Sequence, residues 1–217
     1  QVSSAASDVY KRQVLVKALD EIGIRKNTII IWTTDNGTSG SIVGDLNGKM
    51  VRGGKSMLSE NGVNAPFVIN APGIVPEGIT SHALIDFSDL LPTLCDLAQI
   101  SPDKNYEYDG ISFAPEIFGL ENKSPRNWIM ALGSNPAKIE NGRVKNAFNF
   151  RDRAFRDKNF KVYIDTMNKI NEIIELKSDF YEENNLIDSD REDVFSAIKK
   201  FESVLRKHPS LDASPKY

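Results

Sequence analysis

The feature that most constrains the fold is a continuous apolar run, TIIIWTT, at residues 28–34. Its β-branched residues favour a strand, and its lack of alternation indicates that both faces are covered, as in a parallel sheet. Before it, apolar residues from Val14 to Ile22 recur at helical spacing, and Gly23 is a typical helix stop. A helix, a short link and a buried strand form half of a β-α-β unit. The sequence therefore predicts an α/β domain.

Two later stretches extend this α/β pattern. APFVINAPG at residues 65–73 predicts another buried strand, and DFSDLLPTLCDLAQI at residues 86–100 predicts a helix with Pro92 near its beginning. Between the two predicted strands, residues 37–62 are polar and rich in glycine. Long loops of this kind in compact domains are usually functional or disordered.

The last third of the chain changes character. AFRDKNFKVYID at residues 154–165 predicts a hairpin, and EIIELK at residues 172–177 predicts a third strand. Ser189 and Glu192 have capping-box spacing before an amphipathic stripe, which predicts a terminal helix. We therefore expect a small C-terminal antiparallel α+β subdomain.

These patterns divide the chain into three predicted segments. Residues 1–13, QVSSAASDVYKRQ, are small and polar and begin without methionine, so we expect a non-native or assembly scar there. Residues 14–135 form the predicted α/β part, and residues 136–217 form the antiparallel subdomain with its terminal helix.

Composition excludes several classes of function. The formal net charge of −3 argues against a nucleic-acid-binding surface. No apolar run approaches the roughly 20 residues that a membrane-spanning helix needs, so we expect no transmembrane segment. A single cysteine, Cys95, rules out an internal disulfide.

The first candidate site is the pair Asp35 and Asn36, at the end of the apolar run. Asn36-Gly37 is a strong two-residue hairpin signal, and the residue pattern alone favours that turn. The alternative is a metal site, since carboxylate and amide oxygens suit a hard cation such as calcium. Against the hairpin, nothing after Gly37 alternates like a returning strand.

The second candidate is Lys55, in the stretch VRGGKSMLSENG. A lysine on a glycine-rich loop can act as a point charge toward an anion, whereas the pattern alone favours a solvated surface lysine. The stretch does not fit a phosphate-binding P-loop, because Gly48 is one position too early for that spacing.

The order of several motifs is more specific than any one of them. It resembles the C-terminal half of the sulfatase family, within the alkaline-phosphatase-like superfamily, from about residue 14 to 120 and again from about 150 to 187. The motifs that carry this resemblance are NTIIIWTTDNG, GGKSMLSENGVNAPFVINAPG, DFSDLLPTLCDLAQI, YDGISFAPEIFG and FYEENNL.

The resemblance implies a fold and a site. The fold is part of a mostly parallel sheet with helices, followed by the small antiparallel subdomain. Asp35 and Asn36 match the family's ligands for a divalent cation, usually calcium, with magnesium as the alternative. Lys55 matches the lysine that contacts the substrate sulfate, which gives it a catalytic and substrate-binding role. The expected substrate is a sulfated small molecule or carbohydrate, and the expected compartment is periplasmic or secreted.

This chain also departs from the family pattern. The motif that yields the formylglycine nucleophile, Cys/Ser-x-Pro-x-Arg, is absent, and Cys95 lacks its context. Asn64 stands where many members have arginine. We therefore expect a C-terminal fragment of a sulfatase, inactive by itself, with the formylglycine in a missing N-terminal half. The alternatives are a phosphodiesterase or phosphonate-ester hydrolase of the same superfamily, or a catalytically inactive, partner-binding fragment.

Overall fold

A computed structural model describes residues 4–119, 124–134 and 136–212, and these form a mixed α/β structure. The helices are α1 Ser4–Glu21, α2 Glu60–Val63, α3 Leu90–Leu97, α4 Ala114–Ile117 and α5 Glu192–Leu205. The strands are β1 Ile30–Thr33, β2 Val43–Leu46, β3 Lys49–Arg52, β4 Phe67–Asn70, β5 Ile129–Leu132, β6 Ala137–Glu140, β7 Arg143–Asn146, β8 Arg153–Arg156, β9 Phe160–Ile164 and β10 Ile170–Glu175.

The chain divides into two compact units, and both are discontinuous in sequence. The first comprises Gln1–Thr33 and Pro66–Pro125, and the second comprises Thr34–Ala65 and Arg126–Tyr217. The predicted division at residue 135, which itself lies outside the described residues, stays a prediction.

In the first unit, β1 and β4 form a two-stranded sheet. Both strands were expected from their apolar runs, and that expectation is confirmed. Their pairing is antiparallel, with Ile31 opposite Ile69 and Thr33 opposite Phe67, so the expectation of a parallel sheet is wrong for this pair. All four β1 residues are half-buried. A continuous apolar run reports that both faces are partly covered, but it carries no information on strand direction.

Helix α1 ends where the sequence predicts. Gly23 adopts a φ of +74°, and the N–H of Ile24 donates to the carbonyl of Leu19 at 3.1 Å, which closes the helix end. The helix begins at Ser4, however, ten residues earlier than Val14. The origin of residues 1–13 stays a prediction, and residues 1–3 lie outside the described part of the chain.

The predicted helix α3 is confirmed, and a buried polar pair fixes its beginning. The carboxylate of Asp89, fully buried, accepts the N–H groups of Asp86 at 2.9 Å and Ile111 at 2.7 Å. The Thr93 hydroxyl donates to the Asp89 carbonyl at 2.6 Å and accepts the N–H of Phe113 at 3.0 Å. Helix α3 is thus bonded to the segment that enters α4.

In the second unit, an antiparallel sheet in the order β10-β9-β8-β5 packs against α5. The predicted hairpin β8–β9 and the third strand β10 are confirmed. Phe155, Val162, Ile173 and Phe201 are fully buried at the centre of this core. Strand β5 was not predicted.

The capping box predicted for α5 is wrong. The helix begins at Glu192 after Arg191, and no side chain caps it. The Ser189 hydroxyl instead accepts the N–H of Arg191 at 3.3 Å. Arg191 bridges Glu175 at 2.9 Å and Asp193 at 2.6 Å, and these ion pairs lie at the helix entry.

Two further hairpins lie in stretches for which the sequence predicted no strands. Strands β2 and β3 pair around Asn47-Gly48, and strands β6 and β7 pair around Asn141-Gly142. All four turn residues have positive φ, which is the type I′ geometry that Asn-Gly favours. Among the helices described, none is both long and apolar enough to cross a membrane.

Candidate metal and anion site

Asp35 and Asn36 follow β1 with one residue between, and they do not form a hairpin turn. The Thr34 hydroxyl donates to the Asn36 carbonyl at 3.1 Å, and the N–H of Gly37 donates to the carbonyl of Gly62 at 2.8 Å. The hairpin alternative is therefore wrong at this position. Asp35 is exposed and Asn36 is half-buried.

Glycines allow this segment to approach its neighbours closely. A Cβ on Gly37 would lie 1.9 Å from the carbonyl oxygen of Asn61, and a Cβ on Gly53 would lie 2.2 Å from that of Ser39. Gly62 is equally crowded, with a backbone oxygen 2.3 Å from its hypothetical Cβ. No other residue type fits such backbone contacts without displacement.

Lys55 lies on the segment that contacts the residues after Asn36. Its N–H donates to the carbonyl of Thr38 at 2.9 Å, and its side chain is exposed. In the described part of the chain, the side chains of Asp35, Asn36 and Lys55 have no hydrogen-bond or ion-pair partner. The structure thus joins the two candidate segments through their backbones and leaves the candidate side chains available.

Helix α2 connects these two segments. Its Asn61 amide donates to the carbonyl of Arg52 at 2.7 Å, and the Ser59 hydroxyl donates to Asn61 at 2.5 Å. Its Gly62 carbonyl accepts Gly37, as above. One short helix therefore bonds to both the Asp35-Asn36 side and the Lys55 side of the loop.

Sequence reasoning missed a buried ion cluster behind α2. Glu60 is 2% exposed and Lys161 is 1% exposed, and their side chains pair at 3.2 Å. Arg156 also pairs with Glu60, and Lys161 pairs with Glu182 at 2.9 Å. The amide of Asn64 reaches Glu60 at 3.3 Å. Lys161 lies between the buried residues Phe160 and Val162 of β9, and strict alternation along a strand would predict an exposed side chain at its position.

Tyr163 completes the cluster. Its hydroxyl donates to the Glu182 carboxylate. Burial first, and then the hydrogen bond and charge of Glu182, raise the pKa of the Tyr163 phenol well above its usual range. A cavity of about 330 Å³ adjoins this cluster, and Tyr163, Glu182 and Tyr181 lie in its wall.

The donor chemistry at Asp35 and Asn36 fits a hard cation in part. Both offer oxygen atoms that no internal partner occupies, and oxygen is the donor that calcium and magnesium prefer. Calcium takes roughly six to eight oxygen ligands. Within the described ranges, no group of three or more His, Cys, Asp or Glu residues lies close enough to hold a metal. The described residues therefore supply at most part of a ligand set, and the roles of Asp35, Asn36 and Lys55 stay predictions.

Comparison with known proteins gives a consistent family. The sulfatase family profile matches residues 13–100. Human arylsulfatase A is 35% identical over 127 residues, which cover 58% of this chain and 24% of that protein. An ulvan-active sulfatase of Formosa agariphila is 28% identical over 172 residues, which cover 79% of this chain and 29% of that protein.

Solved structures extend the likeness over nearly the whole chain. One structure, determined with its substrate D-glucosamine-2-N,6-O-disulfate, superimposes with a TM-score of 0.66 at 22% identity and covers 95% of this chain. At that identity the likeness establishes the fold. This chain spans 40% of that structure and less than a third of the two relatives above. Residues 13–100 of this chain match the sulfatase family, and the relatives and solved structures extend the similarity beyond that segment.

Proposed function

We propose that this chain carries the cation-binding and sulfate-contacting part of a sulfatase, a hydrolase of sulfate esters. The observation that carries the proposal is the joined pair of loop segments, because Lys55 is hydrogen-bonded through its backbone to Thr38, two residues beyond Asn36. Both segments lie within the residues that match the family, and the side chains of Asp35, Asn36 and Lys55 have no partner among the described residues.

In this proposal each residue has one task. Asp35 and Asn36 hold a divalent cation, calcium or magnesium, through their side-chain oxygens. The bound cation supplies positive charge next to the sulfate group. Lys55 places an ammonium on the anion from a glycine-rich loop, where it stabilises the charge that builds on the leaving oxygen. The nucleophile, a formylglycine in the family resemblance, is proposed to lie in sequence outside these 217 residues.

We further propose a sulfated carbohydrate as the substrate class. Two observations on similar proteins support it: one relative is named for activity on ulvan, and one structural neighbour was solved with a disulfated glucosamine. The family resemblance also supports export to the periplasm or the medium. In the longer protein, β1 and β4 are proposed to belong to a larger, mostly parallel sheet.

The decisive experiment uses the longer protein that contains this segment. We expect Asp35→Ala to lower kcat/KM for an aryl sulfate by roughly 100-fold or more, as removal of one preorganised electrostatic group typically does. Lys55→Ala is expected to have an effect of the same order. Asp45→Ala and Lys49→Ala, which change a carboxylate and an ammonium on the neighbouring hairpin β2–β3, serve as matched controls and should retain activity.

A second measurement tests the chain by itself. Purified residues 1–217 should not hydrolyse aryl sulfates and should bind calcium weakly, since the described residues offer only part of a ligand set. Turnover by the isolated chain, or full activity of Asp35→Ala in the longer protein, would contradict the proposal. A clear preference for aryl phosphodiesters over sulfates would replace it with the phosphodiesterase alternative.

A further inference from the structure

We propose that the buried ion cluster around Glu60 positions the loop that bears Lys55, so that Lys161 and Glu182 are positioning residues for the anion site. The inference rests on the proposed function only in the role it gives to Lys55. The cluster lies outside the candidate metal and anion residues themselves, and it belongs to a different part of the same compact unit.

The first step is that ion pairs and hydrogen bonds from the β10-β9-β8-β5 sheet and from Glu182 hold helix α2 in place. Glu60 accepts Lys161 at 3.2 Å through one carboxylate oxygen and Arg156 through the other. Glu182 accepts both the Lys161 ammonium at 2.9 Å and the backbone N–H of Glu60 at 2.6 Å. Because Lys161 is 1% exposed, removing its charge leaves two buried carboxylates without their shared counterion, which is strongly unfavourable.

The second step is that α2 passes this restraint to both candidate segments. Its Gly62 carbonyl holds the N–H of Gly37, next to Asn36. Its Asn61 side chain holds the carbonyl of Arg52, three residues before Lys55. Loosening α2 is therefore expected to release both segments at once.

The adjoining cavity does not point to a ligand, because most of the polar groups in its wall already bond to the protein itself. Tyr163 donates to Glu182, and Tyr181 donates to the carbonyl of Leu46 at 2.8 Å. Asn61 donates to Arg52. These groups serve the protein's own loop, which favours a positioning role over a second binding pocket.

Amide hydrogen exchange of the 217-residue chain tests this inference without any ligand. Lys161→Met should accelerate exchange at Gly37, Gly53 and Lys55 by about tenfold or more, because the restraint on their hydrogen bonds is lost. Exchange at Val162 and Ile173 in the core should change by less than about twofold. Lys161→Arg keeps the charge and should restore slow exchange in the loop.

Two further variants keep the test decisive. Lys200→Met removes a different lysine of the same unit, one that pairs with Asp157 at 2.6 Å, and it should leave exchange in the loop unchanged. If Lys161→Met does not fold, Glu182→Gln takes its place, with faster exchange again expected in the loop and not in the core. Uniform acceleration across the unit, or unchanged exchange in the loop, would overturn the inference. Since no cation or sulfate enters the measurement, its outcome is independent of whether Asp35 and Lys55 act in a sulfatase.

Discussion

The dipeptide Asn-Gly occurs in two structural settings in this chain. At residues 47–48 and 141–142 it forms the turn of an antiparallel hairpin, with φ values of +56° and +83° in the first turn and +53° and +73° in the second. At residues 36–37 it lies in the packed loop that carries the candidate site, at residues 61–62 it lies in helix α2, which packs against that loop, and none of these four residues has positive φ.

The difference teaches that glycine is used for two separate properties. In the hairpins its value is conformational, since a Cβ on Gly48 or Gly142 would meet nothing within 4 Å. In the loop its value is its small size, because a Cβ on Gly37 would collide with the backbone at Asn61. The flanking residues decide which applies. Short strands pair directly across the two hairpin turns, whereas the residues that follow Gly37 do not pair directly back onto β1.

The largest effect is expected where size is the constraint. Gly37→Ala should destabilise the second unit by about 3 kcal/mol, because the added methyl group must displace packed backbone. Urea unfolding measures this change. Gly44→Ala, in strand β2 and free of contacts within 4 Å, is the matched control and should be neutral or slightly stabilising. A mild effect of Gly37→Ala would mean that the loop packs less tightly than the hydrogen bond from Gly37 to Gly62 indicates.

An intermediate effect is expected where φ is the constraint. Gly48→Ala should weaken hairpin β2–β3 by about 1–2 kcal/mol, which is the cost of left-handed backbone for a residue with a Cβ. Gly48→Asn should cost less, because asparagine tolerates this conformation better. Amide exchange of the β2 and β3 residues reports the loss, and equal results for the two variants would contradict a conformational cause.

The smallest effect is expected from an ion pair in the second Asn-Gly hairpin, β6–β7. In β6–β7, the hydrogen bond and charge of Lys145, 2.5 Å from Glu140, lower the pKa of the Glu140 carboxyl. A carboxyl with a lowered folded-state pKa stabilises the hairpin at neutral pH, and this contribution is lost as the pH falls through that pKa. NMR titration of Glu140 measures it, and Lys145→Met should return the pKa toward its ordinary value. An unchanged Glu140 titration in that variant would remove the ion pair as the cause.

Elements with strong periodicity were predictable from the sequence. The apolar runs predicted β1 and β4, the turn at Asp157 predicted the β8–β9 hairpin, and the amphipathic stripe predicted α5. Strands β2 and β3 were missed because their residues are mostly exposed and carry no alternation of apolar side chains. Strand β6 was also missed, and every residue in it is exposed.

The candidate site could be proposed from the sequence only residue by residue. Asp35, Asn36 and Lys55 stood out by residue type and by resemblance to a family, but hydrophobic patterns contain no information that their segments touch. The ion cluster was invisible for a related reason. Glu60, Lys161 and Glu182 are far apart in sequence, and burial of charge depends on tertiary pairing that a single sequence does not reveal.

The antiparallel pairing of β1 with β4 has a consequence for how this region can vary. Thr33 pairs with Phe67, so the β1–β4 pair fixes the two ends of the segment between them, residues 34–66. The entropy of closing such a segment rises only slowly with its length, by about 0.6 kcal/mol per doubling. Insertions at an exposed tip such as the Asn47-Gly48 turn therefore cost little, and this loop can lengthen without shifting the register of the strands that support it.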